Sequence, residues 1–332
     1  MTPALSIREI GADEFALVWP LFHSVVAAGD TYSYPPDLTF EQARDWWTSP
    51  PSRCFVAERS KLVLGCYMLR PNQPGLEWDE LLVRQLQSIR LIFMPIVNPG
   101  GMWAATRANP NGVDLMRNAP QNADERVPLL AGGQRVGAWL PWYRGRPGEP
   151  MEPEAAALLQ VVETEMAARP LSIALDCHSG YGWRDSIWFP YARTRKLMAH
   201  LPEMYMLKTM FERAHPHHGY AFEPQSHQYL LHGDLWDFAY DRAPAPNIFL
   251  PMTLELGSWL WIKKNPRQLF SRQGMFNPVK AHRTARVLRR HANLLDFLAR
   301  AAFSSQRWLP QGKRREQLLL SATEHWSKPA VL

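Results

Sequence analysis

The sequence predicts an α/β protein with a mixed, mostly parallel sheet flanked by helices, preceded by a smaller α/β segment of different texture. Three observations carry this. Apolar residues make up 46% of the chain and charged residues 20%, a composition that folds rather than one that stays disordered. Beyond Gly75, continuous apolar runs alternate with helix-period segments, the pattern of a sheet joined through helices. Before Gly75, the order reads strand, helix, helix, strand, strand. The 332 residues are enough for one large domain or two ordinary ones.

The N-terminal segment opens with an alternating strand at Leu5–Ile10. Asp13 is a plausible N-cap for a helix that places Phe15, Val18, Leu21, Phe22 and Val25 on one face, and Gly29-Asp30 stops it. Thr39 caps a second helix that runs to Trp47. Cys54–Glu58 and Leu62–Leu69, joined by a tight polar turn, read as a hairpin. After the seam, Trp78–Ile89 is helical in pattern and Leu91–Val97 is a buried-strand run closed by Pro99-Gly100-Gly101. Pro153–Ala168 is a helix, Leu171–Cys177 a second buried strand, His200–Ala214 a helix and Phe249–Leu256 a strand. Ala281–Ala302 is a basic amphipathic helix, and the charged tail after Pro310 (residues 311–332) is expected to pack loosely. Residues 1–75 and 76–310 are the expected domains.

Composition narrows the function classes. Three cysteines, Cys54, Cys66 and Cys177, give neither a disulfide framework nor a cysteine metal site. Met1–Glu9 has no signal-peptide pattern, so a cytoplasmic location is expected. No run reaches the roughly 18 apolar residues of a membrane span. The net charge is +6, with basic residues concentrated late, at Arg283, Arg286, Arg289, Arg290, Lys313, Arg314 and Arg315. They read as a solvated helix face, so neither a nucleic-acid nor a membrane partner is expected.

The chemistry-bearing residues sit on three separate segments. His178 lies just past the strand Leu171–Cys177, where the catalytic groups of open α/β sheets gather. Asp176, two residues earlier, faces the same side in extended backbone and suits a partner that orients the imidazole. Taken alone, a strand-end histidine is more often simply bonded to a neighbour. Glu255 is a lone carboxylate in an apolar strand, either salt-bridged or a general base in a cleft. Arg107 and Arg117 flank an Asn/Pro/Gly turn. Each is a surface arginine or a guanidinium fork for a carboxylate or an oxyanion.

Read together, these segments resemble a known family. Pro95-Ile96-Val97-Asn98-Pro99-Gly100-Gly101, Thr106-Arg107, Gly112-Val113-Asp114-Leu115-Met116-Arg117-Asn118, Asp176-Cys177-His178-Ser179 and the Glu255 strand are similar, in the same order, to zinc carboxypeptidases (funnelins). The resemblance spans residues 77 to about 310. It implies a zinc hydrolase of peptide or amide bonds, with His178 as a zinc ligand and Glu255 as the base that activates water. It further implies that Arg107 polarises the scissile carbonyl, that Arg117 grips the substrate carboxylate and that Tyr229 closes over substrate. A peptide or small amide substrate is therefore expected. Met116 stands where the family usually has Asn, which leaves room for an amidase or an unusual peptide substrate.

Zinc in this family takes two further ligands from a His-x-x-Glu pair ahead of Arg107. His23 is the only histidine before His178, and Val26 stands three residues on. His200-Leu201-Pro202-Glu203 has the spelling but follows His178. Zinc is thus expected from the family, while this chain offers one of its ligands. Residues 1–75 resemble the opening of a GNAT acetyltransferase through Ile7-Arg8-Glu9, Ala27-Ala28-Gly29-Asp30-Thr31-Tyr32 and Asn72-Gln73-Pro74-Gly75. That family's Gly-rich acetyl-CoA turn does not follow Gly75. Both families' key motifs fail at one seam, as in a fusion or truncation remnant with impaired hydrolysis. A non-catalytic binding protein is the competing expectation, and acetyl transfer the weakest. The hairpin Cys54–Leu69 is expected to cover the sheet edge exposed by the missing strands.

Overall fold

The computed structural model describes residues 5–28, 34–35, 37–69, 85–180, 182–270 and 277–327, the side chains of 269 and 270 excepted. The chain divides into two compact units, Met1–Ser88 and Ile89–Leu332. The expected words at Gly29–Tyr32 and Asn72–Gly75, and most of the Trp78–Ile89 helix, lie outside the described residues.

The first unit contains an antiparallel sheet in the order β1 (Ser6–Ile10), β2 (Arg53–Arg59), β3 (Leu62–Leu69). Arg53 on β2 pairs with Glu9 on β1 at 2.6 Å, and Arg8 with Glu58 at 3.1 Å. The expected helix from Asp13 is broken in two: a 3₁₀ turn at Ala12–Leu17, then α1 at Trp19–Ala27. Asp13 makes no cap. Pro20 supplies the reason, because proline lacks an N–H and is accommodated only in a helix's first turn. Thr39 does cap α2 (Phe40–Thr48): its hydroxyl accepts from Gln42 N–H and the Gln42 side chain accepts from Thr39 N–H. Phe15, Phe22 and Trp47 form an aromatic core with Cys54 and Val56 beneath it.

The second unit is built on a sheet in the order β4 (Leu171–His178), β7 (Ile248–Glu255), β5 (Ser186–Phe189), β6 (Ala221–Pro224). The β4/β7 and β5/β6 pairs are parallel and β5/β7 is antiparallel, so the sheet is mixed and mostly parallel. The helices are α3 (Pro99–Trp103), α4 (Pro153–Val161, continued by a π turn to Ala167), α5 (Leu201–Ala214), α6 (Leu235–Arg242), α7 (Trp259–Lys264), α8 (Ala281–Phe303), α9 (Ser305–Trp308) and α10 (Gly312–Ser327). The core gathers Ile187, Leu201, Leu207, Phe211, Phe249, Leu250 and Met252, each nearly inaccessible to solvent. Burying one such side chain contributes about 1.5–3 kcal/mol.

Three expectations are corrected. Leu91–Val97 is not a strand, and Phe93 is 67% exposed. An apolar run becomes a strand only when a neighbour completes its hydrogen-bond ladder, and among the described residues β4 pairs with β7 alone. The Cys54–Leu69 hairpin belongs to the three-stranded sheet and adds no strand to the four-stranded one. The tail after Pro310 is not loose over its described part, up to Ser327. It forms α10, whose Ala322 and Trp326 are buried. Trp326 Nε1 donates to the Phe222 carbonyl at 2.9 Å, and its ring meets Phe189 edge to face. Arg315 reaches the buried Glu203 carboxylate at 2.6 Å.

Candidate functional site

Register places the site. Asp176 lies opposite Thr253, and His178 opposite Glu255, in the parallel β4/β7 pair. Because strand side chains alternate, all four share one face at the carboxyl ends of these strands. Glu255 also has Ser186 of β5 as its antiparallel partner. His178 is clamped between two carboxylates: Nε2 lies 2.9 Å from Asp176 Oδ2 and Nδ1 3.2 Å from Glu255 Oε1. Trp236 Nε1 of α6 donates to the same Asp176 oxygen at 2.9 Å.

The electrostatics follow from this clamp. Burial works to lower the His178 pKa, but the Asp176 and Glu255 carboxylates outweigh it and push it up to about 10. Burial works to raise the Asp176 carboxyl, yet the His178 charge and the Trp236 N–H hold it below the ordinary range.

The arginine segment is a folded loop organised by its asparagines. Asn98 Oδ1 accepts from Gly101 N–H while its amide donates to the Arg107 carbonyl. Asn109 Oδ1 accepts from the N–H groups of Asn111 and Val113, and Gly112 takes the positive φ of 77° that closes the turn. Asp114 then caps the 3₁₀ turn Leu115–Arg117 through Met116 N–H. Its second oxygen accepts from Arg107 Nε at 2.7 Å. Burial pushes the Asp114 carboxyl up, but Arg107 and Arg117 hold it below its ordinary range.

The two arginines differ. The Arg107 side chain is 50% exposed and Asp114 fixes its direction. Arg117 is buried; Nε and Nη2 donate to the Ala131 carbonyl at 3.3 Å, and Nη2 lies 3.4 Å from the Tyr229 hydroxyl. Gly233 makes this close fit feasible. Its φ is +67°, and a Cβ there would stand 2.1 Å from the Arg117 carbonyl oxygen. Tyr229 meets Trp188 edge to face. Trp188, Gln225, Trp236 and Thr253 also line a cavity of about 20 Å³, room for a water.

Arg107, Asp176, His178, Glu255 and Tyr229 act on one another or on shared neighbours, and Arg117 joins them through Tyr229 and Asp114. Asp114 and Trp236 complete the constellation and carried no role in the sequence reading. An acidic residue between two arginines was the available signal for Asp114. Trp236 had none, because α6 brings it to Asp176 from 60 residues away.

Zinc does not fit this donor set. Zinc needs three protein ligands, and here His178 offers one nitrogen, Nδ1 beside Glu255, with Asp176 on the other. His200 and Glu203 are engaged elsewhere: His200 Nδ1 with the Tyr240 hydroxyl, Glu203 with Arg315. Among the described residues no group of three or more His, Cys, Asp or Glu is placed to hold a metal ion.

Comparison with known proteins bears on the family of the chain. No curated protein matches the chain. Among solved structures, thrombin activatable fibrinolysis inhibitor is 20% identical with a TM-score of 0.41, covering 64% of this chain and 50% of its own. Carboxypeptidase A from Helicoverpa armigera is 19% identical with a TM-score of 0.41, covering 64% of this chain and 51% of its own. A GCN5-related N-acetyltransferase from Kribbella flavida is 40% identical over 22% of this chain and 46% of its own, with a TM-score of 0.20. The chain thus spans about half the length of each of these structures. The profile of the zinc carboxypeptidase family matches residues 76–265, more than half of the sequence, and the chain belongs to that family.

Proposed function

We propose that this chain is a zinc-deficient zinc carboxypeptidase that binds the carboxylate end of a peptide or small amide without efficient hydrolysis. Two observations support the reading: His178 lies between two carboxylates, and no His-x-x-Glu pair precedes Arg107. Arg107 is the exposed guanidinium and takes the substrate carboxylate or carbonyl. Arg117, buried behind it, contributes positive charge and holds Tyr229 through the phenol oxygen. Glu255, spent on His178, cannot serve as a free base in this arrangement. The competing reading is zinc-assisted hydrolysis with Glu255 as the base.

Calorimetry with a short peptide and its C-terminal amide tests this reading. Wild type should bind the free acid at least about tenfold more tightly, and Arg107→Ala should abolish the difference. Hydrolysis of the same peptide at a rate that Glu255→Gln removes would establish the competing reading.

A further inference from the structure

A second surface lies beside the carboxyl end of β4. Its core is α7, Trp259-Leu260-Trp261-Ile262-Lys263-Lys264, which has four apolar residues in succession and none buried. Trp183, 54% exposed, comes from the loop after β4 and meets Trp259 edge to face at 5.5 Å. The following 3₁₀ turn, Pro266–Phe270, joins the first turn of α8 through an Arg283–Gln268 hydrogen bond. Over Ala281–Arg290, α8 has no buried residue; Leu288 is 67% exposed, and Arg286 and Arg289 point to solvent. The charge here is one-sided. From Leu256 to Leu295 the sequence has nine Lys and Arg and no Asp or Glu, and of these Arg290 pairs with Asp185, from the loop before β5, at 3.0 Å.

We propose that this surface docks on an anionic lipid membrane, with Trp183, Trp259 and Leu260 entering the headgroup boundary and Lys263, Lys264 and Arg286 meeting lipid charges. Tryptophan is an interfacial side chain, apolar in body and polar at one edge. Lysines one turn on from it can extend their ammonium groups to the headgroups while their stems stay apolar. Single-sign charge beside exposed aromatic and aliphatic residues is the pattern of a peripheral membrane surface. Trp183 and Trp259 would also stack on bases, but Leu260, Ile262 and Leu288 gain from an apolar phase that nucleic acid does not provide. No helix among the described residues is long and apolar enough to cross a membrane, so the contact is peripheral. It departs from the sequence-based expectation of no membrane partner. It does not depend on the proposed peptide binding.

Flotation of the full chain with phosphatidylcholine vesicles, with and without phosphatidylserine, tests this. Binding should require phosphatidylserine and fall at least about tenfold in high salt. Lys263→Glu/Lys264→Glu and, independently, Arg286→Glu/Arg289→Glu should each weaken it similarly, with unchanged circular dichroism. Trp259→Phe should reduce quenching of the protein's fluorescence by nitroxide-labelled lipid. Three results would each overturn the proposal: no binding, equal binding to both vesicles, or binding to a single-stranded oligonucleotide but not to vesicles. Self-association that hides Trp259 from a soluble quencher would assign the surface to a second copy instead and also overturn it.

Discussion

His178 and Glu255 face each other as register partners across two parallel strands, with Nδ1 3.2 Å from Oε1. That contact, with Asp176 on the other ring nitrogen at 2.9 Å, sets the imidazole between two carboxylates.

The His178 ring should be protonated at pH 7, with its pKa pushed up to about 10. Nitrogen-15 NMR of the ring reads this directly, and Asp176→Asn should bring the value down. The stability consequence has a definite sign. The folded pKa lies above the unfolded value, so the imidazolium's contribution is complete below about pH 6.5 and fades as pH rises toward 10. Asp176 is depressed instead, so its contribution is present above about pH 4 and is lost on acidification. Melting temperature against pH should show wild type losing its advantage over Asp176→Asn at both ends. A flat difference would contradict the clamp.

Gly233→Ala should destabilise the second unit by at least about 2 kcal/mol, combining a left-handed φ with a Cβ driven into the Arg117 backbone. Urea unfolding gives the number. The variant should also lose discrimination between a peptide acid and its amide, because the same glycine sets where Arg117 and Tyr229 meet.

Arg315→Ala should cost about 2–3 kcal/mol. It strands Glu203, only 2% exposed, while the arginine's own partial exposure discounts the full loss expected for a buried pair. Trp326→Ala should cost about 3–5 kcal/mol by leaving a cavity beside Phe189 and an unpaired Phe222 carbonyl. Thermal melts of both variants test whether α10 is integral to the fold.

The long elements of the second unit were readable because their patterns are strong. The apolar runs of β4 and β7 and the periodicity of α4, α5 and α8 mark them within a residue or two. β5 and β6 escaped because Ser186–Phe189 and Ala221–Pro224 are only four residues each, too short for alternation to register. Leu91–Val97 misled for the opposite reason: apolarity marks a segment that could pair, not one with a neighbour to pair with. α10 escaped because its charged composition hides that Arg315 is spent on the buried Glu203. In the site, Arg107, Asp176, His178 and Glu255 could be picked out by residue type and position. The closure of His178 by both carboxylates could not, since it depends on the β4/β7 register.

Zinc content tests the central claim most directly. After dialysis of the full chain against a mild chelator, elemental analysis should find zinc far below one atom per chain, with Glu255→Gln no different. One zinc retained per chain, and lost in His178→Ala, would contradict the account.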